Sequence, residues 1–380
     1  MGSDFFEALG RAVDTEWTAA GRSPERFAAV AARVLGEATP PRDLTAPAVL
    51  REAIARPRLD ALGPDNFGQP PLTLFRAEDF YVSALYWLDA TTAIHQHAFS
   101  GAFRVLVGSS VHCEYRFDER DAVAERLLIG DLAWDRAELL REGDTRPIVA
   151  GRSFVHSLFH LDRPTVTIVI RTMAEPVGPQ FEYAPPGLAW DPFFRDDGLR
   201  RRFAAIETLW QLAPDEAVSS ASELISRSDE WTGFLAVHHW FTKVGTGTAL
   251  DGLVDRVTAT HARLDGTLPP ALDELARRFE LVGRRRLIDD PGQRLFLALL
   301  LNLPDQASMT GLLAAAFPAE SPHALLRGWL TALASPELRG ASGFRFSDAQ
   351  LEQLVAAIDP SASAATAPSK VPRALAPLFR

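Results

Sequence analysis

The chain has 380 residues, 47% hydrophobic and 23% charged, a balance that suits a protein with a large buried core. Its net charge of −10 speaks against nucleic acid and anionic membrane surfaces as partners. The one cysteine, Cys113, excludes an internal disulfide and suits a reducing compartment. The acidic N-terminal stretch lacks a signal-peptide core, and the longest apolar run, Leu295–Leu301, is far short of the roughly 20 residues of a membrane helix. The expectation is a cytoplasmic protein with no membrane contact.

Residues 1–58 read as a helical segment. Phe5, Phe6, Leu9, Ala12 and Val13 recur at helical spacing. Ser23-Pro24 carries a helix-start signal for a second helix, with Ser23 as N-cap, and Pro40-Pro41 ends it. A third short helix is expected over 46–55. After a loop at 59–72 the pattern changes. Nine short runs rich in β-branched and aromatic residues follow up to Met173, from LTLF through FYVSALYWL, TAIHQH and AFRVLVG to SFVHSLFHL and TVTIVIRT. Such runs with no helix between them predict a sandwich or small barrel over 59–175. Residues 176–198 are rich in Pro and Gly and read as a linker. From Leu199 onward apolar residues again follow a helical period, in nine segments with short breaks, which predicts an all-α domain over 199–360. SASAATAPSK has linker composition, so 361–380 is expected as a flexible tail.

The residues with chemistry sit mostly in the β-region. In TAIHQHAFSGAFRVLVGSSVHCEYRF, His95 and His97 are two apart, so a strand would place both imidazoles on one face. Such a pair is half a metal site, and imidazole suits Zn, Fe, Cu or Ni alike. The third ligand is sought in GRSFVHSLFHLDRPTVTIVIRT, at His156 or at its rival His160. His112 and Glu114 read as an outer solvated face with a pocket wall as the competing reading. Cys113 reads as a small buried apolar residue. His238 and His239 are adjacent and face different ways on a helix, so they are not a chelating pair. The basic runs at 200–202 and 284–286 read as solvated helix ends. No phosphate-binding loop, dinucleotide fingerprint or Ser/His/Asp signature is present.

The spacing His95-x-His97, a Gly-containing turn, then Gly151 and His156 resembles a cupin. Over Leu72 to Met173 the chain resembles the cysteine dioxygenase-type (thiol dioxygenase) cupins. The resemblance implies a cupin β-barrel, or jelly roll, and does not cover the helical regions. With the helical patterns on either side, the expected fold is an α+β multidomain protein, a cupin flanked by the N-terminal helices and a C-terminal all-α region. The resemblance implies that His95, His97 and His156 hold ferrous iron, that Arg76 holds a substrate carboxylate, and that His160 supports the pocket. The implied activity is that of a non-heme Fe(II) oxygenase using O2 on a small anionic molecule, amino-acid-derived or thiol-containing. Three features depart from the family. Gly101 stands where many cupins place a carboxylate ligand, and Ala102 where the family has its crosslinking cysteine. Thr167, Val169 and Arg171 stand where thiol dioxygenases place Ser, His and Tyr. Arg171 becomes the candidate anion-binding group. The competing expectation is a non-catalytic metal- or ligand-sensing cupin whose helical domain binds a protein partner or a second copy.

Overall fold

The structure, a computed structural model, describes residues 2–55, 67–173, 175, 178–335, 344–358 and 371–380. Three helices open the chain: α1 (Gly2–Ala19), α2 (Pro24–Glu37) and α3 (Ala46–Ile54). Ser23 takes the N-cap position of α2, but its hydroxyl bonds the Glu25 carboxylate and not a backbone N–H. The nine expected strands all form: β1 (Pro71–Arg76), β2 (Phe80–Trp87), β3 (Ile94–His97), β4 (Gly101–Val107), β5 (Ser110–Ala124), β6 (Leu127–Leu140), β7 (Thr145–Ile148), β8 (Gly151–His160) and β9 (Thr165–Thr172). The expected linker at 176–198 holds two more, β10 (Glu182–Ala184) and β11 (Leu188–Trp190). They pair with each other, and β11 pairs with β6. Three-residue strands between prolines carry too little alternation to be read from sequence. Their stability comes from burying Tyr183, Leu188 and Trp190. The helices that follow are α4 (Asp197–Leu212), α5 (Pro214–Ser226), α6 (Glu230–Lys243), α7 (Thr248–Thr260), α8 (Leu268–Arg285), α9 (Pro291–Asn302), α10 (Gln306–Ala316), α11 (Pro322–Leu333) and α12 (Asp348–Ala357).

The chain folds into two compact units that interleave in sequence. One comprises residues 1–115, 134–178 and 277–380, the other 116–133 and 179–276. Of the helices expected over 199–360, α4 to α7 fall in the second unit and α9 to α12 in the first.

In the first unit, one antiparallel sheet has the order β1-β2-β9-β4-β7. Facing it, β8 pairs with β3 on one side and with the first half of β5 on the other. β2 and β9 are buried on both faces, so they read as nearly continuous apolar runs. The period of two still sorts them. Val82, Ala84, Tyr86, Val166, Ile168 and Ile170 point outward into the core formed with α1 to α3. Ser83, Leu85, Trp87, Thr167, Val169 and Arg171 point into the interior. The outer core is anchored by Trp17, Phe27 and Phe80, whose rings lie 4.6–6.2 Å apart. Each such buried ring contributes roughly 1.5–3 kcal/mol, which a helical piece of this size needs from a partner sheet. Arg104 on β4 donates to the carbonyls of Leu35 and Ala38, closing the C-terminus of α2.

The later helices of this unit fasten the far end of the β-structure. Arg285, expected as a solvated helix end, is fully buried and donates to the carbonyls of His160, Leu88 and Asp162. Arg294 donates to those of Leu161 and Ile288. The loop after β8 has buried backbone oxygens with no strand partner, and guanidinium groups satisfy them. Of the expected flexible tail, residues 361–370 lie outside the described residues. Arg373–Phe379 forms a 3-10 turn with Ala374, Leu375 and Leu378 buried.

The second unit packs α4 to α7 and the start of α8 around Trp190, Trp231, Phe234 and Trp240. Its own part of β5 is tied in by Arg263, which pairs with Asp121 and donates to the Val123 carbonyl.

Candidate metal centre

His95 and His97 stand on β3, and His156 on β8 directly opposite His95. Their side chains converge on the interior of the first unit. One ligand nitrogen from each lies within 4.8 Å of the others, and all three residues are buried. The Nε2 atoms of His97 and His156 are 2.8 Å apart. Two nitrogens bound at right angles on one ion, each about 2.0–2.1 Å from it, would be separated by roughly 2.9 Å. The pair thus has the spacing of neighbouring ligands. His160 does not join them. It is buried behind Trp87, stacked on it at 4.3 Å, with Nδ1 bonded to Ser110.

The hydrogen bonds around the cluster fix two of the tautomers. His95 Nδ1 faces the Ala93 carbonyl at 2.9 Å, an acceptor, so Nδ1 carries the proton and Nε2 the lone pair. On the other side a chain of contacts runs outward from His156. Its Nδ1 meets Nε2 of His112 at 3.1 Å, and His112 Nδ1 meets the Glu138 carboxylate at 2.9 Å. The carboxylate accepts only, so His112 donates to it from Nδ1 and accepts at Nε2. His156 therefore donates from Nδ1 and keeps its lone pair on Nε2. Arg146 grips both oxygens of Glu138 from beyond. Orienting partners of this kind are what metal-bound imidazoles use. His97 Nδ1 is buried with no partner among the described residues. The chain leaves its tautomer to be set by what the Nε2 pair binds.

Electrostatics agree with the ligand role. Burial pushes His95 down to about 4, with a smaller contribution from His112. Burial and neighbouring imidazoles push His97 and His156 well below the ordinary histidine value. All three are neutral near pH 7, the form in which imidazole binds a metal. Glu138 would be raised by burial, but Arg146 and His112 outweigh that and bring it to about 2. The residues fit a divalent ion: three neutral nitrogen donors, oriented from behind, at the edge of a cavity.

Two glycines explain why this geometry needs the residues it has. A Cβ on Gly101 would stand 2.0 Å from the Ile170 carbonyl oxygen, so β4 passes β9 too closely for any side chain. The carboxylate ligand that many cupins place here is excluded sterically. Gly151, paired with His97 in register, has φ of +83°, which lets β8 begin beneath the histidines.

The cavity beside the cluster is about 50 Å³, with mostly apolar walls that include Phe67, Leu85, Phe99, Phe103, Ile148 and Leu158. Thr167, Val169 and Arg171 all line it, the three positions at which the resemblance departed from thiol dioxygenases. The Arg171 guanidinium lies over Phe99 at 3.5 Å and over Tyr81 at 5.2 Å. Arg76 is not part of this site. It is exposed at the end of β1, an outer strand of its sheet, and does not line the cavity. The separation of nineteen positions between Arg76 and His95 is used up by β2, which must cross the sheet before the chain can return to β3.

Sequence reading missed the depth of His112. The register that opposes it to Leu158 buries it at 1% exposure, and Glu138 meets it from β6. Alternation on β5 carried the signal for His112, but nothing in the sequence placed Glu138 or Arg146 behind it. Cys113 is buried and its thiol is pushed up to about 12 by desolvation, in line with an inert apolar residue. Among the described residues, no helix is long and apolar enough to cross a membrane.

No family model and no curated protein matches the sequence. Solved structures similar to it include hydroquinone 1,2-dioxygenase from Sphingomonas sp. TTNP3 with 4-hydroxybenzoate bound. That similarity has 10% identity over 29% of this chain and 68% of that one, with a TM-score of 0.23. A cupin-2 domain containing protein from Shewanella frigidimarina shares 15% identity over 29% and 85% of the two chains, with a TM-score of 0.20. An oxalate oxidase shares 15% over 30% and 47%, with a TM-score of 0.18. At these scores the fold rests on this chain's own strand order and histidine positions. On those grounds the β-region has the cupin, or double-stranded β-helix, fold, with a three-histidine group in its interior and helices on either side in sequence.

Proposed function

We propose that the first unit is a mononuclear non-heme iron(II) oxygenase acting on a small molecule with an apolar body and one anionic group. The observation that carries this reading is the convergence of three buried, neutral imidazoles on one end of an apolar cavity that also holds a guanidinium. Iron(II) bound there would supply oxygen activation, since three protein nitrogens leave further coordination positions open. The chain's own residues do the rest. His95, His97 and His156 hold the ion, with His112 and Glu138 keeping the His156 lone pair aimed inward. Arg171 receives the anionic end of the substrate, at a site where a fork of N–H donors suits a carboxylate. The walls of Phe67, Leu85, Phe99 and Phe103 orient the apolar body and exclude water. His160 acts through Trp87, whose ring it backs. The replacement of Ser, His and Tyr by Thr167, Val169 and Arg171 removes the hydroxyl-imidazole network of thiol dioxygenases, so carboxylates with apolar bodies are better candidate substrates than cysteine itself.

Elemental analysis of anaerobically prepared, iron-supplemented protein tests the reading, together with O2 uptake in the presence of short aliphatic carboxylates and thiols, the size the cavity of about 50 Å³ allows. About one iron per chain, lost in His97→Ala, with substrate-dependent O2 uptake is the expected result. No bound metal overturns it. Iron and ligand bound without O2 uptake would hand the site to the sensing role.

A further inference from the structure

The second unit contains a cavity of its own, about 270 Å³, formed between β10, β11 and helices α4 and α6. We propose that this cavity binds a small organic cation, an ammonium group carrying an apolar or aryl substituent, with Glu182 as its ion partner.

Glu182 lies on β10 opposite Trp190 of β11, so the two side chains share a face. Among the described residues its carboxylate meets no hydrogen-bond donor and no cation. Desolvation alone pushes it up to about 7. Half-buried on the cavity wall, the carboxylate is screened from bulk solvent yet open to a molecule that enters the cavity. Around it the walls are those of a cation site. Trp190, Phe194 and Phe203 line the cavity, with the Arg126 guanidinium over one face of Phe194 at 4.9 Å, so that ring already serves a cation. His238 sits between Trp190 and Phe234, with ring centroids at 5.4 and 5.6 Å, and burial pushes it down to about 4. His239 stacks on Phe203 and is likewise lowered by burial. Both are neutral near pH 7 and do not repel a cation.

The other charged groups at the cavity are already engaged. Asp191 pairs with Arg126, and Asp197 with Arg200. Asp196 caps α4 by accepting from the Leu199 N–H, so the anion-favouring end of that helix is filled by the chain itself. Arg195 donates to the carbonyls of Pro192 and Phe194. Glu182 is the carboxylate left over, and an anionic ligand would have four carboxylates around it. At 270 Å³ the cavity is at the small end of ligand pockets, which sets the size of the cation.

The test is calorimetric titration of the full chain with benzyltrimethylammonium, whose charge does not change with pH, and with neopentylbenzene, its neutral isostere. Saturable binding of the cation is expected, at least tenfold tighter than the isostere. It should strengthen about tenfold from pH 6 to pH 8 as Glu182 ionises, because a group titrating near 7 passes from about one-tenth to nine-tenths charged over that range. Glu182→Gln should weaken binding at least tenfold and flatten the pH dependence. No saturable binding at millimolar concentration, equal binding of the isostere, or an unchanged affinity in Glu182→Gln each overturns the proposal. If Glu182→Gln fails to fold, the pH profile and the isostere comparison on the unaltered protein decide it.

Discussion

Replacing His112 with Leu should weaken metal binding while leaving the three ligands in place. His112 is 1% exposed, packed near Phe103 and Phe154, so a leucine keeps the site apolar and filled. What is lost is the acceptor for His156 Nδ1–H at 3.1 Å and the link to Glu138 at 2.9 Å. In the metal-free protein His156 can respond by moving its proton to Nε2, where it can donate to His97 at 2.8 Å. Binding a metal then requires the proton back on Nδ1 with nothing to accept it, at roughly 1–3 kcal/mol for a buried unpaired donor. That corresponds to a loss of about 10- to 100-fold in affinity, the range found when partners behind metal ligands are removed. Glu138→Gln, which keeps a weaker acceptor behind His112, should fall between the wild type and His112→Leu. The assay is competition for Zn(II) or Co(II) against a chelator of known affinity, with near-ultraviolet circular dichroism confirming the fold. A folded His112→Leu protein whose affinity stays within about threefold of wild type would refute the reasoning.

Three further outcomes are expected. Gly101→Ala should destabilise the first unit by roughly 2–3 kcal/mol in urea denaturation, because its Cβ would meet the Ile170 carbonyl oxygen at 2.0 Å and backbone must move. Wild-type stability in that assay would show that β4 can slide off β9. Arg285→Met should cost about 3 kcal/mol or more in the same assay, since three carbonyls lose their donor, and Arg285→Lys should restore only part of it. Glu138 titrates near 2 when folded and near 4.5 otherwise, so its stabilisation is present above about pH 4.5 and is lost as the pH falls toward 2. Its partial exposure reduces that contribution to roughly 1–2 kcal/mol. Acid-unfolding curves of wild type and Glu138→Gln should converge over that interval. Curves that stay parallel would remove Arg146 and His112 as the cause.

The strands were legible wherever alternation or continuous β-branched runs exceeded about four residues, as in TVTIVIRT, where Thr167, Val169 and Arg171 face in and their neighbours face out. The His-x-His pair was legible for the same reason, since a period of two puts His95 and His97 together without any knowledge of the fold. β10 and β11 were not legible, because the pairing of β11 with β6 is a long-range event and the prolines around them suggest a connection. Arg285 was misread because a run of three arginines looks solvated, and only the unpaired carbonyls near residues 88 and 160–162 give the middle one a reason to be buried. Glu138 and Arg146 act on the site through His112, so their roles depend on strand register and on no local pattern. The interleaving of the two units was hidden as well, since α9 reads the same whether it packs on helices or on a barrel.

That interleaving bears on synthesis. The donor that satisfies the Asp162 carbonyl is Arg285, 123 positions later in the chain. At about 5–20 residues per second, a ribosome would deliver it on the order of ten seconds after the strand it serves. Through that interval the loop after β8 has only water or a chaperone to cover its backbone oxygens. Until α8 and α9 emerge, that end of the β-structure lacks the guanidinium donors that cover its carbonyls in the folded chain, so its last packing step waits on helices made much later.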